Sequence, residues 1–221
     1  METFKDAKNT IRTELTSDNV EVRAEFLKHF APALEKFSDA MAHAFMNWRT
    51  LDADLKNDEK RAYVSGLVFT AITLHIQSMK LFLSGHEVAA GNMSRQVVES
   101  IALALVCSSK ELNVLDRFME DKYSTNHAVR DALCHCDKLG INKDAAKVLS
   151  DTRDFYNKCS HPTHLTLAVA MPFSKPGLLY VGASFDEGKL SAYEKEVGLR
   201  VSVAEVFPNF VDGVRANVAK W

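Results

Sequence analysis

An excess of charge of either sign is the first thing this chain lacks. Lys and Arg together number 27 against 29 Asp and Glu, a formal charge of −2 over 221 residues. That balance excludes a general positive field that would draw nucleic acid to the whole surface, so any phosphate contact must be local. Cysteine is also scarce. Cys107, Cys134, Cys136 and Cys159 form no paired framework of the kind small secreted domains use, and reduced thiols are expected. No uninterrupted apolar run is long enough for a bilayer. The longest, Tyr63 to Leu83, is broken by Thr70, Thr73, His75, Gln77 and Lys80, so it reads as a buried helix with no membrane partner. The opening METFKDAKNTIRTEL has no apolar signal core, and a cytoplasmic location is expected. Repeats, low-complexity tracts and long linkers are missing too.

What is present is helical periodicity over a chain that is 47% apolar, enough for one sizeable core and one domain over residues 1–221. Helices are expected from about Thr3 to Leu15 and from about Asn19 to Trp48, the latter bent by Pro32. A third follows Asp58 and Glu59 and is closed by Ser84-Gly85. The next runs from Glu87 to Ser109, and a short piece carries Leu112, Leu115 and Phe118. Ser124 to Leu139 and Asn142 to Cys159 form a pair about Gly140. LTLAVAMPF from Leu165 and LLYVGASF after Lys175-Pro176-Gly177 read as two strands about a turn. Ser191 to Lys220 returns to helix, with Pro208 breaking or kinking it. The expected fold is mainly α, a bundle of about seven helices with one β-hairpin at 165–185.

The densest chemistry lies in Arg153-Asp-Phe-Tyr-Asn-Lys-Cys-Ser-His161-Pro-Thr-His164, at a helix end that Pro162 terminates. Arg153, Tyr156 and Ser160 fall on one stripe, with His161 about 80° round. The blander alternative has Arg153 solvated, the Tyr156 hydroxyl at a rim and His161 capping carbonyls. Far away in sequence, Arg95 and Glu99 stand i,i+4 on a helix whose other positions are apolar. They form either an exposed ion pair or, because desolvating charge is costly, part of a buried network or cleft wall. His75 reads as a core histidine.

Arg95-x-x-x-Glu99 followed about sixty residues later by Tyr156-x-x-x-Ser160-His161-Pro162 resembles a bacterial all-helical group similar to the HEPN superfamily. The resemblance covers Tyr63 to His164. It implies a helical unit that dimerises, belongs to toxin or phage-defence systems and, in active members, cleaves RNA without a metal or other cofactor. The signature it implies is an arginine, a polar residue and then a histidine four to six residues on. Arg153-Asp154 meets the first half, but seven residues separate Arg153 from His161. Arg130 and His135, with four intervening residues, meet the spacing literally yet sit in an expected mid-helix.

On that reading His161 is the acid or base and Arg153 the phosphate ligand, the catalytic pair. Arg95, Glu99, Tyr156 and Ser160 are the binding residues, and RNA and a second copy are the partners. The alternative is a non-catalytic helical interaction or ligand-binding module. A third class, zinc held by Cys134, His135, Cys136, Cys159, His161 and His164, has suitable ligand types. Its spacing is poor, because Cys134 and Cys136 lie about 200° apart on a helix, so no metal residues are assigned.

Overall fold

The computed structural model describes residues 3–55, 57–174 and 181–221, with the side chain of Leu165 left aside. The chain is mainly α. Ten α-helices occur among the described residues: α1 (Phe4–Thr16), α2 (Val20–Ala53), α3 (Glu59–Leu83), α4 (Glu87–Ser108), α5 (Val114–Met119), α6 (Ala128–Cys134), α7 (Cys136–Leu139), α8 (Lys143–Tyr156), α9 (His164–Ala170) and α10 (Leu190–Val218).

Four long helices, α2, α3, α4 and α10, make the bundle, and α6 and α8 lie across α4. The centre is α4, in which every residue from Ile101 to Ser108 is buried. A helix apolar all round must be enclosed all round. Its entry is set by the chain reversal at Gly85, whose φ of 81° is a left-handed conformation that costs glycine little,. A second αL glycine, Gly140 (φ 64°), ends α7, and the Asn142 side chain accepts from the backbone N–H groups of Asp144 and Ala145 to start α8,. Phe26, Phe82, Phe185 and Tyr193 pack edge-on or tilted in one aromatic cluster where α2, α3 and α10 meet.

Three expectations need correction. Ten helices rather than seven occur among the described residues, partly because the Ser124 to Leu139 segment divides: a 3-10 turn at Thr125–His127 leads into α6, and His135 separates α6 from α7. Pro208 does not break α10, which runs on to Val218, and Pro32 likewise lies inside α2, which runs on to Ala53; each proline deletes one backbone bond, to Lys28 and to Ala204, and packing holds the helix through the gap. The first arm of the expected hairpin is the helix α9. Thr163 and Thr166 form a capping box there, Thr163 N–H donating to Thr166 Oγ1 at 2.8 Å. This cap outweighs a short polar-apolar alternation. The turn and the start of the second arm, 175–180, lie outside the described residues, and 181–185 is not a strand.

Candidate functional site

The polar residues of α4, α8 and α10 meet in two adjoining clusters. In the first, Arg95 Nε donates to Glu99 Oε1 at 2.9 Å and Arg95 Nη1 donates to Ser160 Oγ at 2.7 Å. The Ser160 hydroxyl donates in turn to the Asn157 carbonyl at 2.9 Å. Arg95 therefore ties α4 to the turn that follows α8. Its side chain is 26% exposed and that of Glu99 18%, which makes the pair a part-buried network rather than a free surface bridge. The close approach of the chain at 157–160 depends on Gly91. A Cβ there would lie 2.8 Å from Cys159 Sγ and 3.3 Å from the Tyr156 ring.

The second cluster lies deeper. Arg200 is almost wholly buried, its guanidinium stacked 4.7 Å from the Phe82 ring and 5.3 Å from that of Tyr156. Its Nη1 donates to Glu196 Oε2 at 2.5 Å and to the Glu196 carbonyl at 3.1 Å. The same carboxylate oxygen accepts from the Tyr156 hydroxyl at 3.1 Å. Arg200 Nε and Nη2 have no hydrogen-bond partner among the described residues; cation–π contact with two rings is their compensation. Burial raises the Tyr156 phenol above its ordinary range, so it stays a neutral donor. His75, a core histidine, faces the Arg200 carbonyl through Nε2 at 3.1 Å. Burial, and then the Arg200 charge, push its pKa down to about 3.

Beside these, Glu87 and Lys189 form a loose buried pair at 3.8 Å. Lys189 Nζ donates to the Val169 carbonyl at 2.7 Å and thereby ties α9 to the start of α10. Burial lifts Glu87 to about 7, with Lys189 opposing the shift. Asp186 accepts from the backbone N–H groups of Phe173 and Gly188, the latter at 3.0 Å, which pins the segment between α9 and α10.

The structure thus joins Arg95, Glu99 and Ser160, and joins Tyr156 to Glu196 and Arg200. Arg153 and Tyr156 stand i,i+3 within α8, but Ser160 does not continue their stripe, because α8 stops at Tyr156 and a 3-10 turn over Asn157–Cys159 intervenes. Arg153 binds its own neighbour, Asp154 Oδ1, at 3.1 Å, and its Nε is buried without a partner among the described residues. His161 is exposed. Among the described residues its side chain makes no hydrogen bond, and its carbonyl accepts from Thr166 Oγ1 at 3.4 Å. Arg130 pairs with Asp131 at 3.0 Å on the surface, and His135 falls at the break between α6 and α7 rather than in mid-helix. Cys134 is exposed, while Cys136 and Cys159 are buried, Cys136 Sγ donating to the Leu133 carbonyl at 3.1 Å. Among the described residues, no three His, Cys, Asp or Glu side chains converge in a metal-binding arrangement.

Glu196 and Arg200 were the residues the sequence reading missed. They repeat the signal that marked Arg95 and Glu99, opposite charges i,i+4 among Val197, Val201, Val203 and Ala204,. Glu87 and Lys189 carried no such pattern, since they are brought together by tertiary packing alone. Comparison of the chain with protein-family models, curated proteins and solved structures gives no match.

Proposed function

We propose that this chain is a non-catalytic helical interaction module in which the α4–α8–α10 polar clusters act as the scaffold that holds the 157–170 region in place. The observation that carries the reading is the internal pairing of the charges: Arg95 is held by Glu99 and Ser160, Arg200 by Glu196, Arg153 by Asp154. A phosphate-cleaving site needs cationic groups free to meet developing negative charge and a base fixed against its proton. Here each of these arginines is already matched by a carboxylate, and His161 has no orienting partner among the described residues.

One observation favours a second reading, the metal-independent endoribonuclease implied by the HEPN resemblance. Exposed His161 directly follows Ser160, the residue Arg95 grips, so an imidazole and a guanidinium belong to the same helix-end corner. Incubation of the purified protein with mixed RNA in EDTA separates the two. No cleavage is expected. Wild-type cleavage that is abolished in both His161→Ala and Arg153→Ala would replace the module reading with the nuclease.

A further inference from the structure

The first helix buries nothing. In α1 no residue is buried, and Phe4, Ile11 and Leu15 are 86%, 53% and 80% exposed. Their spacing puts all three on one face, which Lys8 shares with its charged end free to reach out past the stripe, while Lys5 and Arg12 lie to one side,. A solitary helix of 13 residues is marginal in water, and its apolar stripe calls for a groove.

The molecule has such a groove elsewhere. Between α2 and α3 lies a cavity of about 530 Å³ walled by Leu34, Phe37, Met41, Phe45, Ile76 and Met79. Phe45 and Ile76 stand 36% and 48% exposed at its edge. Leu34 to Phe45 is the same eleven-residue interval as Phe4 to Leu15, about 16 Å of helix in each case. The groove's charge lies at one end only, where Arg23 and Lys80 line it with no carboxylate beside them. The carboxyl end of α1, whose last carbonyls carry partial negative charge and whose last turn holds no basic side chain, has the complementary sign.

We infer that the α2–α3 groove receives α1 of a second copy of this chain, antiparallel to α2, with Leu15 toward the Arg23 end and Phe4 toward Phe45. The arm's root is fixed in its own subunit: Glu14 Oε1 accepts from the Ala183 N–H at 3.1 Å, and the Asn19 side chain meets His86 Nε2 at 3.0 Å. Folding α1 back into its own groove would detach Glu14 and reverse the chain at Ser17–Asn19. A partner's groove takes the stripe with these anchors intact, and two-fold symmetry fills both grooves at once. No side chain of the α4–α8–α10 clusters takes part, so the inference stands apart from the functional reading above.

The test is light-scattering mass across a micromolar to hundred-micromolar range for the full chain, Ile11→Glu and Ile76→Glu. Both isoleucines are half-exposed, and circular dichroism checks that each variant keeps its helix content. A concentration-dependent wild-type dimer that both variants shift to monomer, by tenfold or more in dissociation constant, is the expected result. Ile11→Cys with Ile76→Cys in a Cys134→Ser background should then form a disulfide-linked dimer. A monomeric wild type, a dimer indifferent to Ile11→Glu, or a disulfide formed within one chain overturns the exchange.

Discussion

Replacing Glu196 by alanine removes the carboxylate that Arg200 and Tyr156 share. The guanidinium left behind is fully buried and keeps only the backbone carbonyl of residue 196 and two aromatic faces. Removing one partner of a buried ion pair costs about 3–5 kcal/mol, chiefly for the stranded charge. In a chain of this length about 1 kcal/mol corresponds to about 2–4 °C of melting temperature, so Glu196→Ala should melt roughly 10 °C below wild type. The cost belongs to the orphaned charge rather than to the contact. Glu196→Gln combined with Arg200→Met, which removes the charge and retains an acceptor for Tyr156, should therefore recover at least half of the loss. Urea and thermal unfolding followed by circular dichroism measure both. A Glu196→Ala variant within about 1 kcal/mol of wild type, or a double variant no more stable than Glu196→Ala, would refute the assignment of Arg200 as a charge held by Glu196.

Other perturbations probe the neighbouring contacts. Glu87, raised to about 7 in the fold from an ordinary 4.5, favours folding fully below about 4.5, and that contribution is lost as pH rises through 7. Glu87→Gln should accordingly lose less melting temperature than wild type between pH 5 and pH 8, and parallel profiles would contradict it. His75, lowered to about 3 from an ordinary 6.5, has the opposite sign: its contribution is present above 6.5 and lost as pH falls toward 3. His75→Phe should flatten the acid limb of the stability curve. Gly91→Ala forces a Cβ against Cys159 and should cost about 1–3 kcal/mol by overpacking, read as a lower urea midpoint. Thiol labelling of the native protein should find Cys134 fast and Cys107, Cys136 and Cys159 slow, since only Cys134 is exposed. Rapid labelling of two or more thiols would contradict that burial.

Signals confined to one helix were legible in the sequence, whereas those created by chain geometry between helices were not. The boundaries of α3 and α4 follow from Asp58, Ser84-Gly85 and an apolar surround, all local. A network at Arg95 and Glu99 was one of two readings open in the sequence, suggested by how little of α4 is left for water, and the structure makes the pair part-buried. Arg153 and His161 required something more: whether α8 continues past Tyr156. It does not, and three residues of 3-10 turn rotate Ser160 onto Arg95 while leaving His161 outside. An angular estimate drawn from an unbroken 100° repeat fails at such a point, because each 3-10 step advances about 120°.

The same limit explains the misread hairpin and bears on function. LTLAVA alternates well enough for a strand, yet Thr163 and Thr166 close a capping box one residue earlier in register, and a satisfied helix start outweighs six alternating residues. Once α9 is a helix, Lys189 can reach the Val169 carbonyl at its last turn while facing Glu87. That places a buried cation between α9, α4 and α10 that no linear spacing announces. The region holding His161 is therefore braced from both sides, by Arg95 through Ser160 and by Lys189 through Val169. Such bracing serves a scaffold directly, whereas a nuclease would need in addition a guanidinium released from its carboxylate before phosphate could displace it.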